Sequence, residues 1–326
     1  MSIEQNKISQ SQSIIQKVKG ELAQSIAGMS TVIDPLLIGL VARGHVLLEG
    51  MPGLAKTLLA KRLASCVDAK FKRVQFTPDL LPADLTGTNI FNPKTTNFEI
   101  RKGPIFTNVL LADEINRAPA KVQSALLQCM EERQVSIGDQ TFTLEDPFFV
   151  MATQNPIEQD GTYPLPEAQL DRFLFKIQVP YPKEEEELRI LNLHGRVGSL
   201  NETSKPVIHI NELTEISETS NKVFIDEKLS QYIVRLIRNT RPEDTSDSDL
   251  KSYIKFGASP RASLSLLRVS RISAIFEGRD FVIPEDIIRF FPIIVGHRMQ
   301  LSLDAITEDV QIDSILKRVL SITEVP

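Results

Sequence analysis

VLLEGMPGLAKT, at residues 46–57, joins an apolar run of strand length to a turn that contains two glycines and a proline. Residues 58–64, which follow the Lys-Thr pair, are good helix formers. Glycines let consecutive backbone N–H groups converge on phosphate oxygens, and the N-terminus of a following helix adds a favourable dipole. The order of strand, glycine turn, Lys-Thr pair and helix therefore predicts a phosphate-binding loop.

The residue types in this loop suit a nucleotide that carries a divalent cation. Lys56 would neutralise the β- and γ-phosphates and the Thr57 hydroxyl would hold Mg²⁺, so ATP and Mg²⁺ are the predicted cofactors. The other residues predicted to bind the nucleotide are Gly50, Met51, Pro52, Gly53, Leu54, Ala55 and Leu58. Ala55 stands where the general pattern has glycine, and its methyl group would be tolerated if this residue is already helical. A chance Gly-Pro-Gly turn between a strand and a helix is the alternative interpretation.

Two helices are predicted before this loop, over residues 3–28 and 30–43. In nucleotide-binding folds the segment before the first strand often lines the pocket for the base. The Leu and Ile residues of 30–43 favour a plain core helix instead.

A second polar site is predicted at the end of the buried strand that begins at Asn108. This strand ends in Asp113 and Glu114, which places two carboxylates at the carboxyl edge of a parallel sheet. Asp113 would hold the water shell of Mg²⁺, and Glu114 would polarise the attacking water. A hydrophobic run that ends in an acid is common, but its position about 55 residues after Lys56 makes the pattern specific.

Three more polar residues are candidates because of where they lie relative to predicted strands. Asn155 follows the strand 148–153, and its amide can hydrogen-bond both the γ-phosphate and the attacking water. Arg172 precedes the strand 173–179, where it either pairs with its acidic neighbour or serves the site. Arg117 is either a structural arginine at a helix start or a charge offered across a subunit interface, and the first interpretation is preferred.

Two β-hairpins are predicted between the core elements. The first pairs residues 88–91 with 97–101, and it either faces the pore of a ring or decorates the surface. The second pairs residues 134–137 with 141–144, within a segment (131–146) that holds five acidic residues and one arginine. A hairpin that grips a nucleic-acid backbone is expected to be basic, so this charge argues against nucleic-acid binding.

The composition excludes several classes of protein. At 326 residues the chain suits about two domains, and its net charge of −5 gives no general attraction to nucleic acid or anionic membranes. Cys66 and Cys129 form no disulfide or metal framework with the four histidines, which favours a reducing, cytoplasmic location. The polar N-terminus resembles no secretory signal, and charges and a proline interrupt the longest apolar stretch (32–48), so no membrane span is expected.

The C-terminal part of the chain is predicted to be a separate helical domain. Ser259 as N-cap and Pro260 as the first helical residue would start a helix that carries Arg261 in its first turn. A long, flexible cation there can approach bound phosphate. Residues 241–255 are predicted to be a polar loop. The predicted boundaries are 1–190 for the core, 191–210 for a linker and 211–326 for the helical domain.

Four segments, in this order and at these spacings, resemble the MoxR family of AAA+ ATPases: GMPGLAKT, LLADEINRAP, ATQNP and PEAQLDRF. The resemblance covers residues 30–180 and continues through GASPRA at 257–262. It implies an α/β fold, with an AAA+ P-loop core whose parallel sheet is sandwiched by helices and a C-terminal all-α lid domain. Alanine before the loop lysine is typical of this family, which also lies near the magnesium-chelatase ATPase subunits.

The resemblance assigns roles to residues by their position in the motifs. It places Lys56 and Thr57 in Walker A, Asp113 and Glu114 in Walker B, Asn155 at sensor 1, Arg172 at the arginine finger and Arg261 at sensor 2. Residues 79–104 resemble the helix-2 insert, and residues 134–144 resemble the hairpin before sensor 1. Whether Arg261 acts on its own subunit's nucleotide or on a neighbour's stays open.

The function implied by the resemblance is Mg²⁺-dependent ATP hydrolysis by a subunit of a homo-oligomeric ring, expected to be a hexamer. Such rings are chaperone-like, and they remodel, mature or activate partner complexes, often alongside proteins with von Willebrand factor A domains. One alternative is a nucleic-acid motor of the helicase type, since helicases share these motifs. Another is a scaffold that binds nucleotide but hardly turns it over.

Overall fold

A sheet-containing core and a mainly helical C-terminal part make up the chain in the computed structural model, which describes residues 3–26, 28–156, 161–194 and 206–326. The described residues group into two compact units. The core unit lies within residues 17–173 and 177–213, and the C-terminal unit lies within residues 1–16, 174–176 and 214–326.

The first half of the chain alternates strands with helices. Its elements are α1 (Ile3–Ser25), α2 (Ser30–Val41), β1 (His45–Glu49), α3 (Lys56–Cys66), β2 (Phe71–Gln75), α4 (Pro82–Thr86), β3 (Gly87–Asn92), β4 (Asn97–Lys102), β5 (Val109–Asp113), a 3₁₀ turn (Ile115–Arg117), α5 (Ala120–Glu132), β6 (Gln134–Ile137), β7 (Gln140–Thr143), β8 (Phe149–Gln154), α6 (Glu167–Leu170) and β9 (Phe173–Gln178).

The central sheet has five strands in the order β2–β5–β8–β1–β9. The pairs β2–β5, β5–β8 and β8–β1 are parallel, so the carboxyl ends of these four strands lie along one edge. All of β5 is buried, and β1 and β8 are buried up to their last residue. Strands covered on both faces by helices have this burial, which explains their continuous apolar sequence and confirms the predicted parallel sheet.

A buried histidine ties the start of β1 to its neighbours. His45 Nδ1 accepts a hydrogen bond from the Val150 backbone N–H (3.0 Å), so Nε2 carries the proton and donates it to the Met130 carbonyl (3.1 Å). Burial lowers the pKa of His45 to about 4, and the nearby Arg133 charge acts in the same direction. The ring is therefore neutral and serves as a structural cross-link between β1, α5 and β8.

Both predicted hairpins are present, as the antiparallel pairs β3–β4 and β6–β7. Two glycines form the base of the first hairpin. A Cβ atom on Gly103 would lie 2.1 Å from the Leu85 carbonyl oxygen, and one on Gly87 would lie 2.3 Å from the Arg101 carbonyl oxygen. Neither position has room for a side chain. The two backbone segments can therefore cross this closely only because both residues are glycine.

The second half of the chain is mainly helical. Its elements are α7 (Glu184–His194), α8 (Ile210–Ser220), α9 (Glu227–Arg238), α10 (Ser248–Tyr253), β10 (Ile254–Phe256), α11 (Pro260–Phe276), α12 (Pro284–Val295), a 3₁₀ turn (Gly296–Arg298), β11 (Gln300–Leu301), α13 (Leu303–Thr307) and α14 (Ile312–Ile322).

A buried ion pair holds the α11–α12 corner of the C-terminal unit. The Arg279 guanidinium donates to both carboxylate oxygens of Asp286 at 2.8 Å, and Asp286 also accepts from the Ser273 hydroxyl at 2.7 Å. These bonds satisfy a carboxylate that is only 4% exposed, and they raise the pKa of Arg279. The pair fixes the turn between the two helices.

The segment predicted to be a polar loop, 241–255, instead contains α10 and the start of β10. Asp247 caps α10 by accepting hydrogen bonds from two backbone N–H groups, and it pairs with Arg318 at 2.9 Å. β10 pairs with β11 about 45 residues later in the chain, a contact that short-range sequence patterns do not reveal. In residues 214–326, all of which the structure describes, β10 and β11 are the strands and the other regular elements are helices.

The predicted linker, 191–210, lies partly outside the described residues, which resume at 206. From there the backbone N–H groups of Val207 and Ile208 donate to the Cys66 carbonyl, so this segment is bound to the end of α3. None of the described helices is long and apolar enough to cross a membrane. Both cysteines are free and buried.

Candidate functional site

The carboxyl ends of β2, β5 and β8 and the phosphate-binding loop line a cavity of about 510 Å³. Most of the predicted site residues line it, together with three residues that the sequence did not single out. The lining consists of residues 52–58, Arg73, Gln75, Asp113, Glu114, Thr153 and Asn155. The sheet therefore brings together side chains that lie about 100 residues apart in sequence.

The loop has the geometry of a phosphate cradle. Lys56 begins α3, and its Nζ donates to the Gly50 carbonyl at 2.5 Å, which holds the ammonium group in the cavity. Burial lowers the pKa of Lys56, while the charges of Asp113, Glu114 and Glu49 oppose this shift. An ammonium group held in this way is positioned to neutralise phosphate oxygens.

Gly50 and Met51, predicted to bind nucleotide, are not among the residues that line the cavity in the described part of the chain. Gly50 is needed for packing, because a Cβ atom there would lie 2.8 Å from the Val179 carbonyl oxygen. Its contribution to the site is the carbonyl that Lys56 contacts.

Ala55 is not helical, although the expectation that its methyl group is tolerated required a helical conformation. Its backbone is left-handed, with φ of 52° and ψ of 22°, and α3 begins only at the next residue. An alanine in this region costs about 1–2 kcal/mol, which explains why the general pattern has glycine at this position. The loop therefore carries backbone strain at the residue before the lysine.

The two oxygens of Asp113 have different partners. Oδ1 accepts a hydrogen bond from the Thr153 hydroxyl at 2.6 Å, in a buried position. Oδ2 accepts from the Arg73 guanidinium, from Nε at 3.0 Å and from Nη2 at 2.8 Å. Asp113 is thus held by β8 on one side and by β2 on the other.

Glu114 lies just after β5, in a left-handed conformation with φ of 56°. Its backbone N–H donates to the Thr153 hydroxyl oxygen at 2.8 Å. Its side-chain Oε2 accepts from Gln75 Nε2 at 2.6 Å and from Arg117 Nη1 at 3.1 Å. Arg117 thus pairs with a site carboxylate of its own chain, and its two predicted roles stay predictions.

The oxygen donors of the cavity suit Mg²⁺, which prefers carboxylate and hydroxyl oxygens and keeps several waters or phosphate oxygens of its own. Thr57 and Asp113, the two predicted metal ligands, both line the cavity. No cluster of three or more His, Cys, Asp or Glu residues able to hold a metal occurs in the described residues. The residues therefore fit a cation that arrives with a nucleotide and takes most of its ligands from phosphate and water.

The two predicted site arginines lie elsewhere. Arg172 is not among the residues lining the cavity in the described structure, and its Nη2 pairs with Glu131 of α5 at 3.1 Å. Arg261 is exposed and belongs to the C-terminal unit. It occupies the first turn of α11 behind the predicted N-cap, because the Ser259 hydroxyl accepts from its backbone N–H at 3.3 Å.

Sequence reasoning did not identify Arg73, Gln75 or Thr153. Alternation along a strand could have pointed to the first two, because residues 73 and 75 lie on one face of β2 next to the Asp-Glu strand. Thr153, two residues before Asn155, is only 1% exposed, and a buried hydroxyl at a strand end requires polar partners.

A smaller apolar cavity of about 90 Å³ adjoins the loop. Its walls come from the α1–α2 connection (Gly28 and Met29), from loop residues 53–55, and from Pro180 and Pro182 after β9. The segment before the first strand therefore does contribute to a pocket beside the loop, although most of α2 is core. An apolar slot at this place suits the flat face of a base.

Comparison with known proteins agrees with this geometry. Residues 45–175 match the family model described as "ATPase family associated with various cellular activities (AAA)", and residues 247–319 match that of the AAA lid domain. The chain is 47% identical to Chaperone MoxR1 of Mycobacterium tuberculosis over 94% of this chain and 81% of that one. It is 46% identical to YeaC of Bacillus subtilis, an uncharacterized protein, over 89% and 88%. A solved structure from Cytophaga hutchinsonii, described as a "putative ATPase" and 46% identical, superposes with a TM-score of 0.93 over 98% of this chain and 97% of that one.

Proposed function

The chain belongs to the MoxR family of AAA+ ATPases, and we propose that it hydrolyses ATP with Mg²⁺ as a ring subunit that remodels or activates partner protein complexes. The observation that carries this proposal is the single cavity that joins the loop lysine to the two carboxylates at the end of β5 and the amide after β8. These are the groups that phosphoryl transfer to water requires.

Each group has a specific task in this proposal. Lys56 and the loop N–H groups would bind the phosphates, while Thr57 and Asp113 would hold Mg²⁺, which neutralises phosphate charge when bound. Glu114 would orient and polarise the attacking water, and Asn155 would donate a hydrogen bond to the γ-phosphate or to that water. The adjoining apolar slot would accept the base.

Glu114 is held in place by two neighbours. Its Oε2 accepts hydrogen bonds from Gln75 and Arg117 in this structure, and a carboxylate has a second oxygen with which it can accept a hydrogen bond from water. Gln75 and Arg117 are thereby positioning residues, and their loss would alter turnover more than nucleotide affinity.

We assign Arg172 to the neighbouring subunit's site. It pairs with Glu131 rather than lining the cavity of its own chain, so its charge contributes to hydrolysis only if another copy approaches. An arginine supplied in this way is worth on the order of 10³–10⁵ in rate, which would make hydrolysis depend on assembly. Arg261 is proposed as a further phosphate sensor from its motif position alone.

Mixing two inactive variants tests the shared site. Glu114→Gln lacks the water-polarising carboxylate, and Arg172→Ala lacks the finger, so each alone should lose at least about 100-fold in ATP turnover. A mixed ring contains sites with an intact Glu114 beside a neighbour's intact Arg172, so activity should return on mixing. Arg189→Ala, an exposed arginine of α7, is the matched control and should leave turnover unchanged. A monomeric preparation with full turnover, or no recovery on mixing, would contradict the proposal.

The first hairpin is the proposed contact with partner proteins. Phe91 and Phe98 lie opposite each other on β3 and β4, with ring centroids 5.5 Å apart, and they are 51% and 71% exposed. Exposed aromatic pairs of this kind are common at protein interfaces. A hexameric ring, proteins with von Willebrand factor A domains as partners, and a cytoplasmic location remain parts of this proposal.

Capture of partner complexes on Glu114→Gln, which should hold ATP without splitting it, tests the remodelling role. The double variant Phe91→Ser/Phe98→Ser in the same background is the control, and it should retain nucleotide but lose the captured complexes. Recovery of ring subunits alone from both preparations would count against a remodelling role.

The nucleic-acid alternative is less firmly excluded than the sequence suggested. Three of the five acidic residues counted around the second hairpin are paired with cations of other elements: Glu131 with Arg172, Glu145 with Lys70, and Asp146 with Arg43. The hairpin strands and their turn carry only Asp139 as an acid. Salt-dependent binding to DNA or RNA, with a slope that reports several phosphate contacts, would favour this alternative.

A further inference from the structure

Arg73 occupies a position that no motif assigns. It lies on β2, one strand away from the Asp-Glu strand, and its side chain lines the nucleotide cavity. Two of its nitrogen atoms bind the same oxygen of Asp113, Oδ2, at 3.0 and 2.8 Å. The other oxygen, Oδ1, is bound to the buried Thr153 hydroxyl. Both oxygens of the carboxylate therefore have a partner that lines the cavity, and the partner of Oδ2 is the charged one.

The guanidinium is fixed by more than this pair. Arg73 Nη2 also donates to Gln75 Oε1 at 2.7 Å, and Gln75 in turn donates to Glu114 at 2.6 Å. Residues 73 and 75 share a face of β2, and Gln75 is in register with Asp113 on the neighbouring strand. The strand register thus sets Arg73 beside the carboxylate.

A divalent cation needs the same carboxylate oxygens in their charged form. A guanidinium that donates two hydrogen bonds to one oxygen neutralises its charge and competes for its lone pairs. We propose that Arg73 is a resident counter-cation for Asp113, so that Mg²⁺ and Arg73 compete for this carboxylate and Arg73 sets how strongly nucleotide binding depends on Mg²⁺. The inference rests on the proposed function, since it concerns loading of the same nucleotide site.

The proposed competition predicts the direction in which nucleotide affinity changes with and without Mg²⁺. Without Mg²⁺, Arg73 shields the phosphates of a nucleotide from the negative charge of Asp113 and so favours binding of the metal-free nucleotide. With Mg²⁺ present, the cation supplies that charge itself and Arg73 is displaced from Oδ2. Removal of Arg73 should therefore weaken binding without metal and increase the gain in affinity that Mg²⁺ gives.

The experiment measures the affinity of the full chain for N-methylanthraniloyl-ADP by fluorescence, in EDTA and across a series of Mg²⁺ concentrations. The quantity compared is the ratio of the dissociation constant in EDTA to that in saturating Mg²⁺. In Arg73→Gln this ratio should rise about 3- to 10-fold over the natural chain, and the Mg²⁺ concentration at half effect should fall by a similar factor. Lys72→Gln is the matched control, because it removes the same charge from the preceding residue of β2, whose side chain lies on the opposite face of the strand.

Two further variants test whether the effect of Arg73 requires the Asp113 carboxylate and the double hydrogen bond. In an Asp113→Asn background, Arg73→Gln should leave the ratio unchanged, because the competition requires the carboxylate. Arg73→Lys keeps the charge but loses the double contact, so its ratio should lie between those of the natural chain and Arg73→Gln, and it replaces Arg73→Gln if that variant does not fold.

The outcomes separate this inference from the proposed function. Equal ratios for the natural chain, Arg73→Gln and Lys72→Gln, or an effect that persists in the Asp113→Asn background, would overturn the competition while leaving nucleotide binding intact. A natural chain that binds no nucleotide with Mg²⁺ would instead overturn the proposed function itself.

Discussion

Replacing Thr153 by valine removes one hydroxyl that serves both carboxylate residues of the site. The hydroxyl donates to Asp113 Oδ1 at 2.6 Å and accepts from the Glu114 backbone N–H at 2.8 Å, and the side chain is only 1% exposed. A buried N–H left without a partner costs about 1–3 kcal/mol, and loss of a hydrogen bond to a charged group costs a comparable amount. Since valine keeps the shape of threonine, we expect Thr153→Val to lower the free energy of unfolding by about 3–5 kcal/mol.

The same change should reduce ATP turnover, because Asp113 and Glu114 lose the group that fixes their relative position. We expect kcat to fall about 10- to 100-fold with a smaller change in KM, as a shift of about 1 Å in a site can cost 10²-fold. Thr153→Ser keeps the hydroxyl and removes only a methyl group, so it should lose about 1 kcal/mol and retain most of the turnover.

Urea unfolding, followed for the core unit, and steady-state ATPase rates would measure both effects. Thr153→Val and Thr153→Ser with equal stability would show that the hydroxyl does not carry the stabilisation. Equal kcat values for the two variants would refute the positioning role, whatever the stability result.

Three other predictions follow from single residues. Neutral His45 contributes its full stabilisation above pH 6.5, the pKa of histidine in the unfolded chain. This stabilisation is lost as the pH falls toward the folded pKa of about 4, and the difference between the two pKa values corresponds to about 3 kcal/mol. Urea unfolding at pH 7 and pH 4 should show this loss in the natural chain but not in His45→Gln, and equal pH dependence would contradict it. Ala55→Gly should change the free energy of unfolding by between 0 and about +1 kcal/mol, because relief of the left-handed backbone offsets the entropy of glycine, whereas Ala60→Gly inside α3 should lose about 1 kcal/mol. Equal losses in the free energy of unfolding for Ala55→Gly and Ala60→Gly would rule out backbone strain at Ala55. Arg279→Met should destabilise the C-terminal unit by about 3–5 kcal/mol in thermal or urea unfolding, because it leaves the buried carboxylate of Asp286 without its counter-charge, and a loss below about 1 kcal/mol would contradict this.

The sequence was sufficient for features that depend on neighbouring residues. Apolar runs that end in Asp113-Glu114 and in Asn155 indicated parallel strands with polar ends, and the sheet places those ends at one cavity. The start of α11 was also predictable, since the Ser-Pro pair at 259–260 supplies both a cap and a fixed first residue. Each of these features is determined within a few residues of the chain.

Features that depend on distant residues were not predictable. Arg73 and Gln75 read as ordinary alternating residues of β2, and only the β2–β5 register shows that they bind the site carboxylates. The left-handed backbone of Ala55 is a local feature, but it was not predicted either, because alanine has a high propensity for the right-handed helix. β10 was missed because its partner strand lies far along the chain.

The glycine crossing at the base of the first hairpin bears on how such proteins diversify. Gly87 and Gly103 fix where the hairpin leaves the core, since no side chain fits at either position. Beyond the crossing, most positions of β3 and β4 are exposed, and little of the core depends on their identity. The tip can therefore accumulate substitutions or be transplanted between relatives while the hydrolytic machinery stays the same. Under the proposed function, partner recognition by the hairpin and ATP hydrolysis in the core can in this way evolve at separate rates within one chain.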